Sequence, residues 1–397
     1  MGTGVTGLFC FDGPLYRDIN GTYCSLTLTN EMFSRYFGVV DNLIVLVRTF
    51  PLNKTFVEAN MNPLTLERIE VIEAPNLNSV KGFAFKWRFR NAIVKVLSRV
   101  TYIFARMPSV LSNEVLRLAS KTKRSFLVEV GGCAWDSYWN HGLLGKIVAP
   151  IMFFNERRYV FKADFATYVT KSFLQERYPN KRPYNTINCS NVYLKEHDEA
   201  VLKNRIEKIR KMDLSRLIIG QAVNSTDVKY KGEQFVIKAL PRLRKAGIHV
   251  EFQIVGPGSS SYLKKVAAKY GVSDQVVFLG ALSKEQLSDW YQSIDLYAQP
   301  SLQEGLPRSV IEAMGFGCPC IGSNLAGIPE LLDESCLFRT KSVKSVYETI
   351  LSKNNKDELL RMSKCVFRAS KEYSISIIEN RRCNYFEKYK KHVINAL

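Results

Sequence analysis

No apolar run in these 397 residues approaches the ~20 that a helix needs to cross a bilayer, so a helical membrane-spanning class is excluded. Residues 1–10 carry no basic segment and pass into a strand-like stretch, so a signal peptide is not expected. The 9 cysteines are dispersed without a C-x2-C pair, and there are only 4 histidines. That argues against a structural zinc site and for free thiols in a reducing compartment. Neither a short-period repeat nor a low-complexity tract is present, which removes solenoids and disordered arrays. Acids are few relative to bases, 37 Asp+Glu against 56 Lys+Arg, for a formal charge of +19.

The chain is too long for one ordinary core and suits two domains. Strand and helix patterns alternate as in doubly wound α/β domains. Strands are expected at 6–11, 42–48, 102–106, 125–130 and 166–170, then at 216–220, 249–255, 275–279 and 294–298. A charged linker helix is expected at 196–212, and a helix with Pro241 inside it at 232–245.

The densest information lies in Ser301-Leu-Gln-Glu-Gly-Leu-Pro-Arg-Ser-Val-Ile-Glu-Ala-Met314. Gly305, Leu306 and Pro307 form a corner after Glu304, and an apolar helical pattern surrounds Glu312. Pro307 suits the first helical position, where its fixed φ is already helical and its missing N–H costs nothing. The free N–H groups at residues 308–310, opened by Arg308, and the positive end of the helix dipole suit a phosphate. Two carboxylates beside them suit hydroxyl groups. Phosphate and hydroxyls together describe a nucleotide sugar.

This segment resembles the E-x7-E motif of the retaining GT-B glycosyltransferases of family 4, over residues 216–332. The resemblance implies two Rossmann-like doubly wound domains facing a central cleft: an acceptor-binding domain at 1–195, a nucleotide-sugar domain at 196–373, and a C-terminal helix at 374–397 crossing back. It implies that Glu304 contacts hydroxyls of the donor sugar, Glu312 the ribose, and Lys231 the diphosphate. The family Arg that follows the strand glycine is replaced by Gln221, with Lys229 as its substitute. Gly256-Pro-Gly258 resembles the turn beside the nucleoside. The resemblance continues into residues 327–330, where a Gly before a second helix, here Gly327, approaches the donor, and Ala326, where the family more often has Gly, makes that approach less open. A metal-independent retaining hexosyltransferase is expected, with a UDP- or GDP-type sugar as donor substrate, no separate cofactor, and a lipid-linked or oligosaccharide acceptor in bacterial surface polysaccharide assembly. No Asp-x-Asp motif stands in a suitable loop.

In the first half, residues 128–142 are dense in aromatic and polar groups and resemble the acceptor-domain segment of polysaccharide-assembling members. Asp136 and His141 are candidates for sugar hydroxyls, with Trp135 or Trp139 stacking on a ring; an aromatic core with a capping Asp is the plain alternative. Residues 12–21 are expected to form the loop after the first strand. Residues 81–124 hold the cations Lys81, Lys86, Arg88, Arg90, Lys95, Arg99, Arg106, Arg117, Lys121, Lys123 and Arg124 against the single acid Glu114. Phe83, Phe85, Trp87 and Phe89 alternate with Lys86, Arg88 and Arg90. Three readings fit: an anionic membrane surface, single-stranded nucleic acid, or a strand with one buried aromatic face. The Glu304 motif favours the membrane, hence a cytoplasmic chain peripheral at the inner face of the plasma membrane, with no nucleic-acid partner. The rival readings are a catalytically silent relative that binds a nucleotide sugar or anionic polymer, and a nucleic-acid-binding protein suggested by charge alone.

Overall fold

The computed structural model describes residues 4–59, 61–77, 80–140 and 142–395; side chains at 80, 81, 83–86 and 88 fall outside the description. The chain divides into two units, Met1–Cys189 with Glu379–Leu397, and Ser190–Ile378. These boundaries lie a few residues from the expected 195/196 and 373/374.

The strands of the first unit are β1 (Thr6–Arg17), β2 (Tyr23–Ser25), β3 (Asn42–Pro51), β4 (Asn62–Pro63), β5 (Ile69–Ala74), β6 (Tyr102–Met107), β7 (Leu127–Val130), β8 (Phe165–Tyr168) and β9 (Thr186–Asn188). Seven of them run parallel in the order β5-β3-β1-β6-β7-β8-β9, and β2 and β4 add antiparallel at the end of β1. Side chains alternate across the pleat, so both faces carry apolar residues. Leu8, Cys10, Ile44 and Leu46 enter one core, while Phe9, Leu43, Val45 and Val47 enter the other. Tyr385, Phe386, Tyr389 and Val393 of the C-terminal helix Ile375–Ile394 complete the second core. The buried Tyr389 hydroxyl is satisfied by donating to the Ile103 carbonyl at 3.3 Å.

One expectation fails here, and one of three open readings is closed. Residues 12–17 are not a loop: β1 continues through them to Arg17. Asp12 instead accepts from the N–H groups of Val110 (2.5 Å) and Leu111 (3.2 Å), filling the N-terminus of the helix Val110–Lys121 with an internal anion. Residues 80–97 are a helix, Val80–Leu97, and not an alternating strand. Ile93, Val96 and Leu97 are buried, with Phe89 packed on the same core, and this helical spacing outweighs the local alternation of rings and cations.

The second unit carries β10 (Arg216–Ala222), β11 (His249–Val255), β12 (Val276–Gly280), β13 (Leu296–Gln299), β14 (Cys320–Ser323) and β15 (Leu337–Phe338). All are parallel, in the order β12-β11-β10-β13-β14-β15. The expected linker helix spans Glu199–Lys211 and is part of this unit's packing. Its buried Arg205 donates to the carbonyls of Ile294 (2.6 Å), Tyr291 (2.6 Å) and Phe316 (3.3 Å), so a charged residue acts as a core anchor. The helix Glu233–Lys245 runs through Pro241.

Candidate functional site

The site forms beyond the carboxyl ends of β10, β13 and β14, where open α/β sheets expose backbone groups and loops to ligands. Glu304 stands in the loop that follows β13. Its Oε1 accepts from the Lys231 ammonium (2.8 Å), the Gln299 amide (2.9 Å) and the Ser301 hydroxyl (2.8 Å). None of the described residues hydrogen-bonds Oε2. The carboxylate is thus held rigidly by one oxygen and presents the other. The brace continues outward: Gln299 Oε1 accepts from Tyr297 (3.0 Å) and Ser309 (3.3 Å), and the buried Ser323 hydroxyl donates to the Ser301 carbonyl (2.7 Å).

Lys231 ends a short 3-10 turn, Lys229–Lys231, whose carbonyls are held from below. The fully buried Gln221 donates to the Lys231 carbonyl (2.9 Å), and Gln234 donates to that of Lys229 (2.9 Å). Gln221 therefore steadies the lysine instead of supplying a second cation. Burial works against the Lys231 charge, but attraction to Glu304 and their hydrogen bond outweigh it and raise its pKa above the usual lysine value. Lys229 does not join the pair: its ammonium lies over the Tyr262 ring, 4.6 Å from the centroid. Gly232 follows at φ +82, and a Cβ there would stand 1.8 Å from the Pro300 carbonyl oxygen, so only glycine lets the turn approach the β13 loop. Next to it, burial pushes the Glu233 carboxyl up to about 7, partly offset by Lys231, and neither carboxylate oxygen finds a partner in another of the described residues.

The helix after the corner is Arg308–Gly315, with Pro307 at the N-cap (φ −71, ψ 114) and not at the first helical position as expected. The N–H groups of residues 308–310 still lack intrahelical acceptors. Leu306 and Pro307 are buried, Gly305 is half-buried and Arg308 exposed. Half-buried Glu312 accepts from the Tyr291 hydroxyl (2.9 Å), a partner that 21 positions of sequence separation conceal. Gly327 donates to the Gly305 carbonyl (2.9 Å), tying its loop to the corner. Ala326 before it takes φ +54, the left-handed region that a Cβ disfavours. The Gly256-Pro-Gly258 turn packs on residues 223–227: the Thr226 N–H donates to the Pro257 carbonyl (2.9 Å), and a Cβ on Gly256 would lie 2.3 Å from Val223 O.

In the first unit, Asp136 lies in the first turn of the helix Ala134–Trp139. Burial raises its pKa against the pull of Arg177 and a hydrogen bond with Cys133. His141 lies outside the described residues. Trp135 packs against the core and stacks on Trp139, with centroids 5.0 Å apart, so the Trp135 ring is engaged within the protein. The described residues contain no group of three metal-ligating side chains. Sequence reasoning missed Gln299, Ser301, Ser323, Tyr291 and Glu233; Gln299 and Ser301, close before Glu304, were within its reach.

Residues 216–353 match the family model "Glycosyl transferases group 1". The chain is 31% identical to Protein CapJ of Staphylococcus aureus over 362 residues, covering 88% of each protein. It is 31% identical over 112 residues to the amylovoran biosynthesis glycosyltransferase AmsK of Erwinia amylovora, covering 26% of this chain and 28% of AmsK. Among solved structures, Anabaena HepE in complex with UDP and glucose superposes with a TM-score of 0.63 at 15% identity, over 96% of this chain and 99% of that one. That likeness shows the GT-B fold. This chain belongs to the group 1 glycosyltransferases.

Proposed function

We propose that the chain moves a hexose from a UDP- or GDP-type sugar, with retention, to a lipid-linked or oligosaccharide acceptor in bacterial surface polysaccharide assembly. HepE's complex with UDP and glucose and AmsK's part in amylovoran biosynthesis support donor and pathway class. The observation that carries the reading is Glu304, braced through Oε1 by three donors with no described residue bonded to Oε2, in the loop that leads into a helix whose first N–H groups lack intrahelical acceptors.

In this reading the diphosphate lies against Lys231 and the N–H groups of residues 308–310, with Glu304 Oε2 on a sugar hydroxyl and Glu312 on the ribose. The bond between C1 and the phosphate oxygen breaks while the acceptor oxygen bonds C1 on the same face. The acceptor's proton passes to the leaving phosphate oxygen, so no protein nucleophile is needed. Lys231 and the helix amides stabilise the charge that develops on the diphosphate. Asp136 and His141 serve the acceptor, and the enzyme acts without a metal, peripheral at the inner face of the plasma membrane. Gln221 and Ala326, which depart from the family pattern, keep a silent binding relative as the second reading.

The test is a panel of UDP- and GDP-sugars with chelator present, the product's anomeric configuration being read by NMR. Transfer with retention is expected. Glu304→Gln should chiefly lower turnover, and Glu312→Gln should weaken nucleoside-diphosphate binding as well. Inversion refutes the stereochemical reading, and donor binding without transfer establishes the silent relative.

A further inference from the structure

The helix Gly142–Lys162 is apolar on opposite faces. One face, with Ala149, Met152, Tyr159 and Val160, is buried in the first unit's core. Leu144, Ile147, Ile151 and Phe154 recur every three or four residues, and Leu143 stands four before Ile147, so all share the other face, where Leu143, Leu144, Ile147, Ile151 and Phe154 are 80, 71, 67, 59 and 65% exposed. A helix that is apolar all round belongs inside a core or a membrane, and contiguous exposed patches mark interaction sites. No helix among the described residues is long and apolar enough to cross a membrane, so this face suits the surface of one.

Charge decides what covers it. Glu156, the helix's acid, is fully buried on the core side, whereas Lys146, Arg157, Arg158 and Lys162 are exposed. Lys146 lies 5.7 Å from the centroid of the half-exposed Trp139 ring, an aromatic of the kind that settles at headgroup level. Apolar side chains flanked by cations, in a chain of formal charge +19, complement acyl chains beneath anionic headgroups.

We infer that the outward face of residues 143–154 is the membrane-docking surface of this protein and that it enters the interface of an anionic phospholipid bilayer. This deepens the inner-face placement proposed above. Lipid binding is measured without sugar transfer, so either reading can fail alone.

The test is co-sedimentation of the full chain with vesicles of phosphatidylglycerol and phosphatidylcholine in equal parts, and with phosphatidylcholine alone. Wild type should bind the anionic vesicles more tightly and release with salt. The variant Leu144→Gln/Ile147→Gln/Ile151→Gln/Phe154→Gln should lose about a hundredfold in partitioning. Its melting temperature and UDP or GDP affinity should match wild type, because Gln is a good helix former and these side chains already face solvent. Lys146→Gln/Arg158→Gln/Lys162→Gln should lose about tenfold on anionic vesicles only. A fourfold variant that sediments like wild type overturns the inference. So does a wild-type chain that ignores vesicles but dimerises in analytical ultracentrifugation through this face, which assigns the face to a second copy.

Discussion

The two units share a parallel-sheet plan but each places one carboxylate in an opposite setting. In the first, Glu129 on β7 is enclosed: it accepts from Arg35 (2.8 Å), Tyr36 (2.8 Å) and Arg106 (3.1 Å). Burial opposes its charge, yet the two guanidiniums and the tyrosine hold its carboxyl at about 2. Both of its oxygens are taken. In the second unit Glu304 takes its three donors on one oxygen and leaves the other open. A carboxylate consumed by its neighbours holds a fold together; one braced on a single side can hold a ligand.

The strongest way to break this comparison is Glu129→Gln. The buried Arg35 and half-buried Arg106 would be left without their counter-charge, at a cost of ~3–5 kcal/mol of stability, while nucleoside-diphosphate affinity should stay at the wild-type level. Denaturant unfolding and calorimetric titration measure the two. Because the folded pKa is depressed, this stabilisation is complete above 4.5 and is lost as pH falls towards about 2. The variant should lack that acid-limb slope, and equal slopes would refute a structural role for the charge.

Glu156 in the same unit sharpens the point with the opposite sign. Burial pushes its carboxyl up to about 8, against the N–H of Ala134 and the Tyr178 hydroxyl. The folded chain therefore binds a proton that the unfolded chain releases, and stability should fall as pH rises from 4.5 through about 8. Glu156→Gln should flatten this trend in thermal melts across that window.

On the ligand side, Lys231→Ala should cost transfer ~1.5–3 kcal/mol, roughly ten- to a hundredfold in kcat/KM, with a smaller loss of melting temperature than Glu129→Gln. If Lys229→Ala is the damaging change instead, the cation over Tyr262 is the one that meets the diphosphate. The smallest effect belongs to Ala326→Gly, which should add ~1 kcal/mol by removing a Cβ from left-handed backbone. A loss of stability there would mean that the Ala326 methyl group makes contacts worth more than the strain.

The sequence reads well where a motif is local in the chain. Glu304, Pro307 and Glu312 fall within one loop and helix, and the strands of the second sheet lie within a few residues of their expected places. It reads poorly where the deciding partner is distant. Asp12 was placed in a loop because its role is to fill the start of a helix 98 positions on. The helix at 199–211 looked like a linker because nothing near Arg205 announces that it anchors carbonyls at 291, 294 and 316. The basic aromatic stretch at 80–97 was read as a membrane surface, a nucleic-acid surface or a strand, because the local alternation of rings and cations masks the helical spacing of Ile93, Val96 and Leu97.

By itself, then, the sequence determined the α/β class, the division into two units and the loop-and-helix setting of Glu304 and Glu312, since these follow from periodicity, turn residues and contiguous motifs. Tertiary structure decided which of the two lysines meets Glu304, that Gln221, where the family pattern has Arg, braces the Lys231 turn, and that one helix leaves an apolar face in solvent. Those outcomes depend on how residues tens of positions apart pack and bury one another, which no local pattern of side chains encodes.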